Sequence, residues 1–323
     1  MINRPSKQNE KKRGIIDGEA WFKRACNTNG AWVHGNYRDR RVDAMIKQEY
    51  DDGKKHIHVL SYGGGTQSTA LLLMALKGEI NGVIPDYIIF SDTGWEPKHV
   101  YNWIEKINKH IKATYGREII FCDNGNIRDD IVEGSETGNR FASIPFFTKD
   151  KNGEIGIARR QCTNEYKILP VNRKIRSLLG YKPRQRIKEV VHLWKGISTD
   201  EIQRVKPSRE SWQVAEHPLV DVALIDRSRC ITYVEREGLG TPAKSSCIGC
   251  PFHDFNAWRE MKLKDQESWQ DAVEIDRLIR KLPRFKNNAF LHKSGKPLEE
   301  VDFNEDQLDI DHFLNECEGM CGV

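Results

Sequence analysis

The feature that most constrains the fold of this chain is a short apolar segment followed by a glycine loop and a helical pattern. Residues 56–61 read His-Ile-His-Val-Leu-Ser, which is typical of a short strand, and three successive glycines follow at 63–65. The apolar run at residues 69–76 then predicts a helix. Strand, glycine loop and helix together predict the first half of a βαβ unit, and such units build parallel sheets.

Three further apolar segments, at residues 86–90, 118–122 and 189–194, predict strands, and Pro97 precedes a predicted helix at 99–115. Strands that alternate with helices predict an α/β fold with a Rossmann-like, mostly parallel sheet and flanking helices. From residue 199 the pattern predicts helices and loops without a further strong strand, and the segment 212–218 is interpreted as a loop. We therefore expect a polar, basic N-terminal extension (1–54), a nucleotide-binding α/β domain (55–198) and a helical, cysteine-containing C-terminal region with a thiol tail (199–323).

Composition excludes some classes of protein and favours others. No stretch approaches the ~18 uncharged apolar residues of a membrane-spanning helix, and the polar start has no apolar signal segment, so we expect a cytoplasmic protein without membrane contact. Eight cysteines then indicate thiol, metal or iron–sulfur chemistry rather than disulfides. Residues 151–210 hold 15 Lys and Arg against 6 Asp and Glu, which favours a polyanionic partner, either nucleotide phosphates or a nucleic acid. The alternative is a solvated basic face.

A glycine loop between a strand and a helix can hold an anion, because backbone amides and the helix N-terminus point at it. The alternative is a tight turn without a ligand. Polar clusters also follow the second and fourth predicted strands, and ligands of open α/β sheets bind beyond the carboxyl ends of the strands. Asp92 is a candidate to hold a ribose hydroxyl or a metal ion, and a helix cap is its alternative role. The predicted nucleotide-binding residues are Ser61, Gly63, Gly64, Gly65, Thr66, Gln67, Ser68, Asp92, Thr93, Gly94, Arg159, Arg160, Ser198 and Arg204.

Five segments, LSYGGGTQSTALLL, FSDTGWEPKHVYNWI, RRQCTNEYKILPVNRKIR, KSSCIGCPFH and ECEGMCGV, occur in this order. In them the chain resembles the phosphoadenylyl-sulfate (PAPS) reductase-like family of the adenine-nucleotide α-hydrolase, or N-type ATP pyrophosphatase, superfamily. The resemblance covers residues 56–323 and implies ATP or PAPS as the bound nucleotide. Gly63 and Gln67 depart from the Ser and Asp of the ATP-cleaving branch, and the loop therefore lacks the carboxylate that helps to hold Mg²⁺ there.

The cysteines predict a second feature of the site. Cys162, Cys230, Cys247 and Cys250 make a four-thiolate set, in which the two-residue gap between Cys247 and Cys250 is typical of metal and cluster ligands. The resemblance favours a [4Fe-4S] cluster. Zinc, with His253 as a competing fourth ligand, and bare redox thiols stay open as alternatives.

The resemblance also implies catalytic residues and a reaction. The predicted catalytic residues are Cys317 on the thiol tail, Lys167 and Asp92. The favoured function is an ATP-pyrophosphatase-type component that adenylates an acceptor for sulfur transfer, with DNA or tRNA as a candidate acceptor, as in similar proteins of DNA phosphorothioation and tRNA thiolation. A cysteine desulfurase is then the expected sulfur donor. One alternative is PAPS or adenylyl-sulfate reduction through Cys317 and thioredoxin; another is a non-catalytic nucleotide-binding or iron–sulfur regulatory module.

Overall fold

The computed structural model describes residues 53–138, 144–242, 244–280, 282 and 286–303. The described residues from 54 onward belong to one compact unit. The extension at 1–54, up to its last two residues, lies outside the described residues, as do the thiol tail and its Cys317.

Eight strands and eight α-helices make up the described fold, together with a π-helix at Thr163–Ile168 and 3₁₀-helices at Thr199–Arg204 and Leu298–Glu300. The strands are β1 (His56–Tyr62), β2 (Tyr87–Asp92), β3 (Ile119–Asp123), β4 (Phe147–Lys149), β5 (Ile155–Ile157), β6 (Val190–Lys195), β7 (Gln213–Glu216) and β8 (Asn288–Phe290). The α-helices are α1 (Thr66–Leu76), α2 (Lys98–Tyr115), α3 (Ile127–Thr137), α4 (Leu169–Leu178), α5 (Pro218–Asp221), α6 (Arg227–Arg236), α7 (Phe255–Lys264) and α8 (Gln266–Ile279).

The main sheet has five parallel strands in the order β3-β2-β1-β6-β7. Strands buried on both faces of a parallel sheet have continuous apolar sequences rather than alternating ones, which explains why β1, β2 and β6 are recognisable in the sequence. The predicted α/β fold with a mostly parallel sheet and flanking helices is confirmed.

Alternate residues of β1 belong to different cores because side chains of a strand alternate between its faces. Leu60 and Tyr62 pack with α1, α2 and α6, whereas Ile57 and Val59 pack with α4 on the other face. A third apolar cluster joins α3, α7 and α8. Among the described residues, no helix combines the length and apolar character that crossing a bilayer requires.

The region after residue 198 contains strands that the sequence does not predict. The segment 212–218 includes β7, which extends the main sheet beyond β6, and β8 pairs with β4 in a small antiparallel sheet of order β5-β4-β8. The interpretation of 212–218 as a loop is therefore wrong. β7 reads Gln-Val-Ala-Glu and lies at the sheet edge, where a short strand pairs on one side only and needs no continuous apolar run. The division of the chain at residues 54 and 198 stays a prediction.

Candidate functional site

The candidate site lies at the edge of the main sheet where β2, β1 and β6 end. These strands are neighbours and run parallel, and Ser61 of β1 is in register with Ile89 of β2 and Lys195 of β6. The three polar segments that follow these strands therefore leave the sheet at one edge. Open α/β sheets bind their ligands at such an edge.

The glycine loop, residues 62–65, ends at the N-terminus of α1. Gly64 has φ +76°, a conformation that favours glycine, and a Cβ there would lie 3.0 Å from Ile104 Cδ1. Gly65 is the N-cap of α1, and neither a side-chain cap nor an acidic residue of the first turn neutralises that helix end. Amide groups of the α1 first turn therefore retain their capacity to bind an anion.

The hydroxyl groups that follow the glycine loop form hydrogen bonds to the backbone of the loop itself. Ser68 Oγ and Thr69 Oγ1 donate to the Gly65 carbonyl at 3.2 and 2.7 Å. Thr66 and Ser68 are buried in the first turn of α1. In the described conformation the backbone, more than these side chains, therefore presents donors at the sheet edge.

Gln67 connects the glycine loop to the segment after β6. Its side chain is fully buried, and Nε2 donates to Ser198 Oγ at 3.4 Å and to Glu201 Oε2 at 3.3 Å. Arg204 forms an ion pair with the same Glu201 at 2.5 Å. The structure thus brings three predicted nucleotide-binding residues, Gln67, Ser198 and Arg204, together around the buried Glu201 carboxylate. The hydrogen bond between Gln67 and Ser198 also holds the glycine loop against the segment after β6.

The segment after β2 is ordered by Asp92. Its Oδ1 accepts from the Gly94 amide and from the Tyr101 hydroxyl, both at 2.8 Å. Burial, followed by Asp92, raises the pKa of Tyr101 above its usual range, so this hydroxyl stays a donor. Asp92 does not cap α2, whose N-cap is Pro97; it fixes the turn that carries Thr93 and Gly94.

The cysteine loop, residues 247–250, is docked on this turn. The Ile248 amide donates to the Trp95 carbonyl at 2.8 Å. A Cβ on Gly249 would lie 2.1 Å from Trp95 Cη2, so the glycine is required for the indole to cover the loop. The sheet edge thereby acquires a thiol pair from a segment 151 residues away in sequence.

Cys247 faces the residues that follow β2. Its Sγ lies 3.2 Å from Thr93 Oγ1 and donates to Glu96 Oε1 at 3.6 Å, and Glu96 is itself buried. Burial and then the Glu96 carboxylate raise the pKa of the Cys247 thiol well above its ordinary value, while Lys167 acts in the opposite direction. The Cys247 thiol therefore stays protonated beside Glu96, and it could act as a nucleophile only if this carboxylate takes its proton.

Two predicted basic residues border the cysteine loop. Lys167 is buried in the π-helix, which Ser91 holds against β2 by donating to the Tyr166 carbonyl at 2.6 Å. The Arg160 guanidinium carbon lies 5.1 Å from the centre of the Phe252 ring, and Arg159 is exposed. π-Helical turns frequently occur at functional sites.

His253 supports the cysteine loop instead of competing for a metal. Its Nε2 is 2.9 Å from the Cys247 carbonyl and 3.1 Å from the Ile248 carbonyl. Carbonyls only accept, so Nε2 carries the proton, and burial lowers the pKa of His253 to about 4. Nδ1 faces Ser246 Oγ at 3.4 Å. Both nitrogens are therefore engaged, and the expectation of a histidine metal ligand here receives no support.

The predicted four-thiolate set is divided between two cores. Cys162 and Cys247 pack against the cluster of α3, α7 and α8, and Cys250 packs beside Cys247. Cys230 is fully buried on α6, in the core that includes α1 and β1. Within the described part of the chain, the thiols also do not form a group of three with ligand atoms within 4.8 Å of one another. Cys230 therefore does not fit as the fourth ligand of a cluster at the cysteine loop.

Glu96 and Trp95 are the site residues that sequence reasoning leaves without a role. Both belong to the segment after β2, and Glu96 follows Thr93 by three residues, which places both side chains on one side of the turn, where the Thr93 hydroxyl donates to Glu96 Oε1 at 3.3 Å. Proximity to the Asp-Thr-Gly segment is the signal that marks them. Their partner Cys247 is not visible from local sequence.

Comparison with known proteins finds a family match over part of the chain. Residues 57–179 match the family of the phosphoadenosine phosphosulfate reductase domain. This span includes the glycine loop, the turn after β2 and the π-helix with Lys167. No curated protein matches the chain.

Among solved structures, the chain is similar to the U34-tRNA thiolase NcsA from Methanococcus maripaludis with its [4Fe-4S] cluster. The identity is 13%, the match covers 76% of this chain and 79% of that chain, and the TM-score is 0.31. The family match runs from β1 to α4 and covers the first three of the five sequence segments that carry the resemblance.

Proposed function

We propose that the protein is an adenine-nucleotide-dependent sulfur-transfer enzyme of the ATP pyrophosphatase type. The observation that carries this proposal is the position of Cys247, whose thiol is hydrogen-bonded to Glu96 at the same sheet edge as the uncapped N-terminus of α1. A phosphate cradle and a thiol with its own proton acceptor are the two parts that such a reaction needs.

The nucleotide half of the proposal rests on backbone groups. Phosphoryl oxygens would lie against the amides of the glycine loop and the first turn of α1, where the helix dipole favours negative charge. Lys167 and Arg160 would add positive charge on the side of the cysteine loop. These donors would stabilise the charge of the departing pyrophosphate when an acceptor oxygen attacks the α-phosphorus of ATP.

The sulfur half assigns roles to the cysteine loop. A sulfur donor, expected to be a cysteine desulfurase, supplies a persulfide to Cys247, and Glu96 takes the thiol proton. The terminal sulfur attacks the acceptor atom that carries the adenylated oxygen, which is carbon in a tRNA base and phosphorus in a DNA phosphate, and that oxygen leaves with AMP. Cys250 then attacks the Cys247 sulfur, which releases the thiolated acceptor and leaves a disulfide that an external dithiol such as thioredoxin reduces.

The acceptor is proposed from charge. Residues 151–210 carry 15 Lys and Arg against 6 Asp and Glu, which suits the phosphates of DNA or tRNA. No step is assigned to an iron–sulfur cluster, because Cys230 lies in a different core from the other three thiols. A cytoplasmic location remains an expectation.

The test is pyrophosphate release from ATP by the full chain, with total tRNA and with DNA as acceptors in separate reactions. Gly64→Ala is compared with Gly78→Ala, because both glycines have φ +76° and only Gly64 lies in the phosphate loop. We expect Gly64→Ala to lose about 100-fold of the activity and Gly78→Ala to keep it. ATP binding without release of pyrophosphate, and without release of sulfite from PAPS, would instead favour the non-catalytic regulatory role. Equal activity of the two glycine variants contradicts the proposed phosphate cradle.

A second candidate function is favoured by Gln67. The position at which the ATP-cleaving branch has an Asp is occupied here by an amide that is bound to Ser198 and Glu201, so the loop offers no carboxylate for Mg²⁺. PAPS reduction is the alternative that fits such a loop. Cys317 would attack the sulfate sulfur, the nucleotide would leave, and thioredoxin would release sulfite. Release of labelled sulfite from PAPS with thioredoxin, lost in Cys317→Ser, would favour this function over the first.

A further inference from the structure

A second polar cluster lies on the main sheet, away from the site described above. It consists of His58 on β1, His192 on β6 and Glu216 on β7, whose potential ligand atoms all lie within 4.8 Å of one another. His58 pairs in register with His192, and Glu216 pairs with Trp194, two residues further along β6. Because residues i and i+2 of a strand share a face, all three side chains project from the same face of the sheet.

The cluster is separate from the sheet edge that carries the glycine loop. His58 precedes Ser61 by three residues of β1, a distance of about 10 Å along the strand. Neither the proposed nucleotide site nor the cysteine loop uses any of its residues. Evidence against the proposed nucleotide site would therefore leave the proposed metal site intact, and the reverse also holds.

The hydrogen bonds of the cluster leave a nitrogen without a partner. His192 Nδ1 contacts Glu216 Oε1, and His192 Nε2 is 2.7 Å from His56 Nδ1. His58 Nδ1 is buried and has no hydrogen-bond partner. The ring of His58 stacks on that of His192, with centroids 4.5 Å apart and an angle of 16° between planes. Buried polar atoms without partners are rare in folded proteins, and each one calls for an explanation such as an ion.

We infer that His58, His192 and Glu216 bind a divalent transition-metal ion of the zinc class. Two imidazoles and one carboxylate form a ligand set that zinc accepts, with a fourth position for water. The set contains no thiolate, which distinguishes it from the cysteine loop. Its imidazole and carboxylate ligands also suit Co²⁺, Ni²⁺ and Cu²⁺. Glu216 is partly exposed, with 29% of its side chain accessible, so solvent reaches the edge of the site.

His56 supplies the support that a metal-bound histidine requires. When His192 binds the ion through Nδ1, its Nε2 proton is directed at His56 Nδ1, 2.7 Å away. A hydrogen bond at the second ring nitrogen fixes the tautomer and the orientation of a ligating histidine.

The position of the site suggests what the ion does for the fold. It joins three adjacent strands, β1, β6 and the four-residue edge strand β7. An ion that binds only the folded protein stabilises it by an amount that grows with the logarithm of the free ion concentration relative to its dissociation constant. Zn²⁺ should therefore raise the melting temperature of the metal-stripped full chain, with β7 as the element that gains most.

The experiment uses Co²⁺ as a spectroscopic substitute for Zn²⁺. The full chain, stripped with a chelator and carrying Cys247→Ser and Cys250→Ser, is titrated with Co²⁺ and then with Zn²⁺. We expect one equivalent of Co²⁺ to give visible bands without a thiolate-to-cobalt band in the near ultraviolet, and Zn²⁺ to displace it. In the same background, His58→Gln and Glu216→Gln should weaken binding by about 100-fold or more.

Matched measurements separate loss of the ion from loss of the fold. His110→Gln removes a histidine on α2 outside the cluster and should leave binding unchanged. The metal-free melting temperatures of His58→Gln and the parent should agree, and only the parent and His110→Gln should gain stability from Zn²⁺. Unchanged Co²⁺ affinity in both His58→Gln and Glu216→Gln overturns the inference, as does a Zn²⁺-induced gain in stability that His58→Gln retains.

Discussion

The Cys247 thiol donates to the Glu96 carboxylate at 3.6 Å, although 151 residues separate the two in sequence. This contact makes the carboxyl end of β2 and the cysteine loop one chemical unit. The neighbouring Thr93 hydroxyl contacts both partners, at 3.2 Å from the sulfur and 3.3 Å from the carboxylate. The proposed sulfur chemistry depends on this unit, and four predictions test it and the segments that surround it.

Replacing Glu96 should make Cys247 more reactive toward a small alkylating agent, while the proposed sulfur transfer loses its proton acceptor. Because the carboxylate contributes, after burial, to the raised pKa of the thiol, Glu96→Gln should lower that pKa and increase the thiolate fraction at pH 8. We expect alkylation of Cys247 by iodoacetamide, followed by peptide mass spectrometry, to accelerate several-fold. Glu105→Gln, an exposed change on α2, is the control. An alkylation rate that does not differ between the two variants contradicts the Glu96–Cys247 contact.

Gly249→Ala should displace the cysteine loop from Trp95. The added methyl group would lie 2.1 Å from Trp95 Cη2, and we expect the free energy of unfolding to fall by about 2 kcal/mol, with faster alkylation of the buried Cys250. Gly156→Ala is a milder control, since its methyl group meets only the Thr148 hydroxyl at 3.1 Å. Urea denaturation measures both variants, and equal stabilities would show that the indole does not cover the loop.

Gln67→Glu should destabilise the link between the glycine loop and the segment after β6. It replaces the amide donor 3.3 Å from Glu201 Oε2 with a second carboxylate in a buried position. We expect a loss of about 2 kcal/mol in urea denaturation. The double variant Gln67→Glu with Glu201→Gln restores a donor and an acceptor and should regain most of this loss. Failure of the second change to rescue the first would remove Glu201 as the partner of Gln67.

His253 should make stability depend on pH between about 6.5 and 4. Burial lowers its pKa to about 4 in the folded protein, from 6.5, so the unfolded chain binds more protons within this window. The contribution of neutral His253 to the free energy of unfolding is fully present above pH 6.5 and is lost as the pH falls through 4. This loss is about 3 kcal/mol at most. Burial lowers the pKa of His58 and His217 too, so they add to the same trend.

The variant His253→Gln should flatten this part of the stability profile while keeping an amide donor for the loop carbonyls. His110→Gln should leave the profile as it is. Free energies of unfolding from urea titrations at pH 7, 6, 5 and 4 provide the comparison. Parallel profiles for all three proteins would contradict a buried, neutral His253.

Local sequence predicts the elements whose residues are buried on both sides. β1, β2 and β6 are largely apolar runs of six or seven residues, while β3 is an edge strand whose sequence is apolar although part of it is exposed. The glycines mark the turn into α1 because Gly64 needs φ +76°. The three-residue strands β4, β5 and β8 and the polar β7 have no such signature. Their strand conformation comes from pairing with a neighbour, which is a non-local interaction.

The sequence by itself therefore determined the parallel sheet, the glycine loop and the candidate residues at the strand ends, because periodicity and turn chemistry are properties of neighbouring residues. Only the tertiary structure decided that Cys247 meets Glu96, that Cys230 packs in another core, and that His58, His192 and Glu216 share one face of the sheet. These relationships depend on strand order and on the packing of distant segments. Spacing along the chain does not encode them, since a contact across more than a hundred residues is selected by the whole folded structure.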